Sequence, residues 1–186
     1  IWPWSPGHKP AFNSFADKYQ GRSAAVITAV DVISGIGACA GMDVIKVPGA
    51  TGYLDTNYEG KAMAAVRALL EEGKDFAYIH VEAPDEMGHQ GSMERKVQAI
   101  EYLDEKVIGP MVEKLENAGA DFRMLVLPDH PTPIRVRTHT SENVPYMLYD
   151  STDKQNNAWN YNEEEALKSG NLEPVGHKLI EKLLEA

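Results

Sequence analysis

Two stretches of this sequence place a carboxylate and an imidazole just after an apolar run. In FAYIHVEAPDEMGH, Asp85 stands four residues before His89; in MLVLPDH, Asp129 and His130 are adjacent; and His139 follows in RTHTSENVPYMLYD. Carboxylate oxygen and neutral imidazole nitrogen are ligands for Zn and Mn. A four-residue spacing lets both side chains face one ion if the segment makes a helical turn. The adjacent pair can serve one ion or divide between two, and two ions about 3.5–4 Å apart form a clamp for phosphoryl or hydrolytic chemistry. Each piece alone is ambiguous. An isolated Asp-x-x-x-His is more simply a capping Asp and an exposed His, and Asp-His after a strand more simply a loop Asp and a helix-start His. The repetition after two strands, with a third His nearby, is what points to a metal site.

Those residues must be positioned by the elements around them. The runs SAAVITAV (23–30), DVIKV (43–47), DFAYIHV (75–81), FRMLVL (122–127) and VPYMLYD (144–150) have strand composition. Between the first two lies DVISGIGACAG (31–41), with an Asp able to cap a helix and a terminal Gly. From about Tyr58 to Glu72, Met63, Val66, Leu69 and Leu70 recur at helical spacing. Residues 92–118 predict a long helix with Val97, Ile100, Leu103, Val107, Met111 and Leu115 on one face, kinked or split at Pro110. The segment STDKQNNAWNYNEEE is polar and expected to be exposed, and LEPVGHKLIEKLLEA closes with an amphipathic helix. Strands alternating with helices argue for an α/β domain with a mostly parallel sheet. Ligands of such sheets bind beyond the carboxyl ends of the strands. If strands 75–81 and 122–127 are parallel neighbours, both motifs arrive at one sheet edge.

The bulk composition fits an ordinary globular protein. The chain has 186 residues, 43% apolar and 25% charged, with net charge −10 and no basic stripe. Nucleic acid and acidic membrane surfaces are therefore not expected as partners, whereas a cation is compatible. No run of about 18 apolar residues predicts a membrane span. No signal peptide is visible, and the expected compartment is the cytoplasm. The single cysteine, Cys39, is expected to pack among small residues. The chain begins IWPWSPGHKP without an initiator Met, as a piece of a longer protein would.

HVEAPDEMGHQG, LPDHPTPI and THTSENVPYMLY, in that order, resemble the archaeal-type, cofactor-independent phosphoglycerate mutases of the alkaline phosphatase-like metalloenzymes. VPGATGYLDTNYEGKA and ITAVDVISGIGACAGM fit the same family, so the resemblance runs from about Trp4 to about Asp150. It implies a three-layer α/β sandwich, with residues 1–186 forming the C-terminal portion of the metal-binding domain. It implies interconversion of 3-phosphoglycerate and 2-phosphoglycerate, a glycolytic isomerase reaction, through a phosphoserine. It also implies two divalent ions, Mn or Zn. By motif position, Asp85, His89 and His139 would hold one ion, and Asp129 and His130 the other. In the family the second ion also takes an Asp and the nucleophilic Ser from N-terminal motifs. This sequence contains neither those motifs nor the inserted substrate domain, so the chain alone is expected to lack mutase activity and to need the missing N-terminal half. Two departures touch substrate contacts: WSPG (4–7) replaces a Trp-Gly-x-Gly, and Ser34 stands where a Lys often precedes the Gly-Ile-Gly. Other readings are a phosphatase or different phosphomutase of the same superfamily, or a metal-binding domain without catalysis.

The remaining candidates have plainer explanations. PGATGY (48–53) lacks the Gly-Lys-Ser/Thr ending of a phosphate loop and is expected to be a turn. Lys61 is expected to solvate its helix rather than reach a phosphate. His80 is expected to be a core or edge residue able to tune a ligand, His8 and His177 to be solvated, Trp2 and Trp4 to pack, and EEEALK to be a solvated helix start. Arg135 and Arg137 are candidates for a phosphate contact.

Overall fold

The computed structural model describes residues 11–153 and 160–185. WSPG, Trp2, Trp4, His8 and residues 154–159 of the polar segment lie outside the described residues. The first elements are a single turn, α1 (Phe15–Lys18), then β1 (Ala24–Ile27), α2 (Asp31–Cys39), β2 (Asp43–Ile45), α3 (Tyr58–Leu70) and β3 (Phe76–Ile79). The three strands form a parallel sheet in the order β2-β1-β3, with Val26 opposite Val44 on one side and Tyr78 on the other. The middle strand β1 is buried along its whole length. An unbroken apolar run is what a parallel strand covered on both faces requires.

The two faces of β1 are covered by different helices. Val26 meets α2, where a Cβ added at buried Gly37 would lie 2.5 Å from Val26 Cγ1. Ile27 belongs to the core cluster with Tyr58, Ala62, Ala64, Ala65 and Val66 of α3. The result is helix, sheet and helix in three layers. Cys39 is exposed rather than packed. It follows Gly37 by two residues, about 200° around the helix, and so faces away from the sheet. Asp31 does not cap α2; Val30 holds the cap position, and Asp31 sits in the first turn, where its charge suits the helix dipole. Gly41, at φ +70°, ends the helix as expected.

In α3 the deepest face is not the one that Met63, Leu69 and Leu70 suggest. Tyr58, Lys61, Ala62, Ala65 and Ala68 are the most buried, whereas Leu70 is exposed. Alanine is small, so this stripe lets the helix approach the sheet closely. Asn57 starts α3 by accepting the Gly60 N–H at 2.8 Å.

After β3 come α4 (Ala83–His89), α5 (Met93–Leu103), a π-helical turn (Asp104–Ile108) and α6 (Gly109–Asn117). The expected long helix is therefore split just before Pro110. Proline has no N–H, and its ring crowds the carbonyl four residues back; the π turn widens the backbone there, with Gly109 N–H bonding the Asp104 carbonyl. The apolar stripe breaks with it. Val107, Met111 and Leu115 are buried as expected, but Val97 and Ile100 are exposed, and Ala99 is the buried residue of α5.

The chain then forms β4 (Arg123–Val126), β5 (Met147–Asp150), α7 (Glu163–Ser169), a 3₁₀ turn (Gly176–Lys178) and α8 (Leu179–Leu184). The strands β4 and β5 pair antiparallel in a sheet of their own, Arg123 opposite Asp150. The expectation that 75–81 and 122–127 are parallel neighbours therefore fails: β3 pairs with β1, and β4 with β5. No helix lies between β4 and β5, and a parallel return needs a crossover. Among the described residues, no helix is long and apolar enough to cross a membrane.

Candidate metal centre

The helix α4 begins four residues beyond the end of β3 and carries Pro84 in its first turn, where a missing N–H costs nothing. One helical turn separates Asp85 from His89. Their side chains share a face, with His89 Nε2 3.3 Å from Asp85 Oδ2. Asp85 is thus no helix cap. The face opposite the centre holds buried Ala83 and Met87 in the core, which anchors the helix.

Residues 131–140 bring the third candidate ligand. Arg137 N–H bonds the Pro133 carbonyl at 2.9 Å, and Thr140 N–H bonds that of Pro131 at 3.1 Å. Arg137 itself adopts φ +57°, a sparsely populated conformation for a residue with a side chain. The folded loop returns His139 to its start, with its ring centroid 3.6 Å from that of His130. His139 Nε2 lies 3.1 Å from His89 Nε2 and 3.4 Å from Asp85 Oδ1. One ligand atom from each of Asp85, His89 and His139 falls within a 4.8 Å group.

The chemistry of these donors fits a divalent ion. His89 Nδ1 lies 3.0 Å from the Arg137 carbonyl, which can only accept, so Nδ1 carries the proton. A neutral His89 then aims its Nε2 lone pair at a carboxylate and at a second imidazole nitrogen. With the His139 Nε2 lone pair turned inward as well, three electron-rich atoms face one another, a set that suits a bound cation. An imidazole whose outer nitrogen is tied to a carbonyl is also the usual arrangement of a metal-ligating histidine.

The second motif lies beside the first. His130 Nε2 is 3.3 Å from Asp129 Oδ2, and His130 Nδ1 is 4.0 Å from Asp85 Oδ1. Asp129 is largely exposed and His130 half-buried. The neighbourhood is acidic: burial, then Glu86 and Asp85, push the Glu82 carboxyl up, and burial pushes the His80 imidazole down despite Asp129. Such surroundings favour a bound cation.

Several candidates do not join the centre. His80 is half-buried, with Nδ1 3.3 Å from Thr28 Oγ1, and its N–H completes the sheet edge on the Ile27 carbonyl. Arg135 is exposed and 3.9 Å from Glu142; the Arg137 guanidinium lies against Gly91. Residues 48–53 are a loop, His177 is exposed, and α7 has no buried residue.

Sequence reasoning missed three supports. Thr132 is buried, its hydroxyl donating to Asp85 Oδ1 and lying 3.3 Å from His130 Nδ1. Lys96 donates to the Thr132 carbonyl at 2.7 Å. Lys61 is completely buried rather than solvated, and its Nζ donates to the His80 carbonyl at 3.1 Å, tying down the turn before α4. A hydroxyl between two prolines, two residues after a candidate ligand, was the one signal available for Thr132. For Lys61 it was its place on the alanine stripe.

These features are those of a candidate divalent-metal site. The family model for the Metalloenzyme superfamily matches residues 1–185, and the chain belongs to that superfamily. It is similar to 2,3-bisphosphoglycerate-independent phosphoglycerate mutases. It is 49% identical over 172 residues to that of Methanosarcina acetivorans, covering 92% of this chain and 43% of the relative. It is 44% identical over 186 residues to mutase 2 of Methanothermobacter thermautotrophicus, covering 100% of this chain and 45% of the relative. The chain thus spans less than half the length of these relatives. Among solved structures, a Pyrococcus horikoshii protein superposes with TM-score 0.80 at 26% identity, over 93% of this chain and 51% of that one. The cofactor-independent phosphoglycerate mutase of Thermoplasma acidophilum superposes with TM-score 0.60 at 19% identity, over 95% and 39%, a likeness of fold alone. The α/β architecture with its parallel central sheet is of the alkaline phosphatase-like kind.

Proposed function

We propose that this chain carries the metal-binding part of a phosphoglycerate mutase that interconverts 3-phosphoglycerate and 2-phosphoglycerate, and corresponds to the C-terminal portion of that enzyme. Asp85, His89 and His139 hold one divalent ion; Asp129 and His130 contribute to a second. The ions are Mn or Zn, the compartment is the cytoplasm, and the reaction passes through a phosphoserine whose Ser lies outside this chain. The observation that carries the reading is the convergence of the Asp85, His89 and His139 ligand atoms within 4.8 Å.

When bound, the ions would lower the charge on a transferring phosphoryl group and activate its acceptor. The chain's own residues have simpler tasks. The α4 turn holds Asp85 and His89 in one direction, the Arg137 carbonyl holds the His89 ring, and the 131–140 loop sets His139 against them. The relatives' names support the mutase chemistry, and the donor set supports the metal.

The test is metal content and a Mn2+ or Zn2+ titration of the purified chain beside His89→Ala. One ion bound by the parent and lost in the variant is expected. A folded parent chain that takes up no ion would overturn the assignment of Asp85, His89 and His139 as a preformed site. For the mutase reaction, His89→Ala in a protein of the relatives' length should abolish conversion of 3-phosphoglycerate. Unchanged turnover there would sink the catalytic reading.

A further inference from the structure

Between the two motifs stands one buried hydroxyl. Thr132 is 4% exposed. Its Oγ1 donates to Asp85 Oδ1 and lies 3.3 Å from His130 Nδ1. A hydroxyl has one proton, and a carboxylate can only accept. The proton given to Asp85 leaves only lone pairs toward His130, so the second contact is a hydrogen bond only if His130 Nδ1 carries a proton. A neutral His130 then has its free lone pair on Nε2, the atom 3.3 Å from Asp129 Oδ2. The geometry points to Thr132 as a positioning residue joining the two halves of the centre: its hydroxyl orients Asp85, fixes His130 as the Nδ1–H tautomer and turns the His130 Nε2 lone pair toward Asp129.

Thr132 is itself held in place. Lys96 Nζ donates to its carbonyl at 2.7 Å. On the other side Gly88 of α4 comes so near that an added Cβ would lie 2.6 Å from that carbonyl oxygen. Pro131 and Pro133 limit the backbone around it. His89 and His130 are then oriented by the same principle from different partners, a backbone carbonyl for one and a side-chain hydroxyl for the other. Outer partners of this kind commonly matter by roughly 10–100-fold in metal affinity. Because Asp85 belongs to one half of the centre and His130 to the other, a change at Thr132 is felt in both.

The inference rests on the metal-centre reading, and its test separates the two. In the ¹⁵N-labelled, metal-free chain in slightly alkaline buffer, long-range ¹H–¹⁵N spectra should show both His89 and His130 as Nδ1–H tautomers. In Thr132→Val, His130 should lose that tautomer while His89 keeps it; Thr132→Ser should restore it. A parent chain with His130 protonated on Nε2, or a Thr132→Val chain with His130 unchanged, overturns the assignment. The parent spectrum decides even if Thr132→Val fails to fold. In a parallel Zn2+ titration, Thr132→Val should weaken binding roughly 10–100-fold and Thr132→Ser should stay close to the parent. Equal affinity of Thr132→Val and parent also overturns it. A parent chain that takes up no Zn2+ refutes the metal-centre reading, and the tautomer spectra still decide the role of Thr132.

Discussion

Gly88 sits between the two candidate ligands of α4, and adding one methyl there separates the stability of the helix from the geometry of the proposed centre. The Cβ of Gly88→Ala would lie 2.6 Å from the Thr132 carbonyl oxygen and 3.0 Å from both Lys96 Nζ and Thr132 Cγ2. Ordinary contact begins at 3.4 Å, so α4 or the Thr132 backbone must retreat by 3.4 − 2.6, about 0.8 Å. A backbone carbonyl held by Lys96 cannot swing aside as a flexible side chain can. Alanine gains about 1 kcal/mol over glycine in a helix, and overpacking costs about 1–3 kcal/mol. The net expectation is a loss of about 0–2 kcal/mol, small enough for the chain to stay folded. Ligand constellations, however, need positions held within about 0.5 Å. A retreat of this size exceeds that, so divalent-ion binding should fall much more than stability. Gly35→Ala is the control: Gly35 lies in α2 with open space around it, so the same methyl should stabilise by up to about 1 kcal/mol. Thermal melting and a Zn2+ titration of both variants make the comparison. If Gly88→Ala melted higher, as Gly35→Ala should, and bound Zn2+ like the parent, the tight contact between α4 and Thr132 would be refuted.

Met87→Ala, at a fully buried position on the core side of α4, should cost about 2–5 kcal/mol in chemical denaturation; a change below 1 kcal/mol would mean that α4 is not anchored there. Burial pushes the Lys61 amine below its ordinary 10.5, so the unfolded chain binds more protons between the lowered value and 10.5. The parent should therefore gain stability relative to Lys61→Met as pH rises through that window, and a pH-independent difference between their melting temperatures would contradict it. The Thr152 hydroxyl, then Arg123, hold the Asp150 carboxyl down at about 2, against an ordinary 3.8. This contribution is present above 3.8 and lost as pH falls toward 2; an NMR titration of Thr152→Ala should show the Asp150 pKa rising, and no rise would remove the hydroxyl from its role. Lys96→Met should free the Thr132 carbonyl and weaken Zn2+ binding while the His89 tautomer persists; loss of both together would indicate wider damage.

What the sequence reveals about this fold depends on how local the cause is. The turn of helix that joins Asp85 to His89 is local: a proline that starts it and a four-residue spacing that aligns its face. The strand β1 is equally legible, because a run buried on both faces has no polar residue to disguise it. The stripe of α5 and α6 is legible only from the π turn onward. Pro110 announces a break, but the widened turn before it changes which side faces the core, and Val97 and Ile100 fall outside. Lys61 misleads for a related reason. Residue type suggests solvent, whereas its place on the stripe of Ala65 and Ala68 puts it in the interior, where the His80 carbonyl supplies its partner.

The pairing of the two motifs is the part that sequence order could not supply correctly. Adjacent parallel strands would have brought them together through the backbone, yet β3 and β4 lie in different sheets. Side chains make the connection instead. Thr132 reaches Asp85 from 47 positions away, Lys96 reaches Thr132 from 36, and the Arg137 carbonyl meets His89 from 48. None of these contacts has a periodicity, because each depends on where two separate elements come to rest. The ligand types and their spacing on α4 are therefore readable as chemistry, while the groups that set their orientation emerge only when the loop 131–140 closes over the helix. The support of a metal centre is in this sense less visible in sequence than the centre itself: a ligand is restricted to a few residue types, but a backbone carbonyl such as that of Arg137 can be offered by any residue whose φ and ψ point it at the ring.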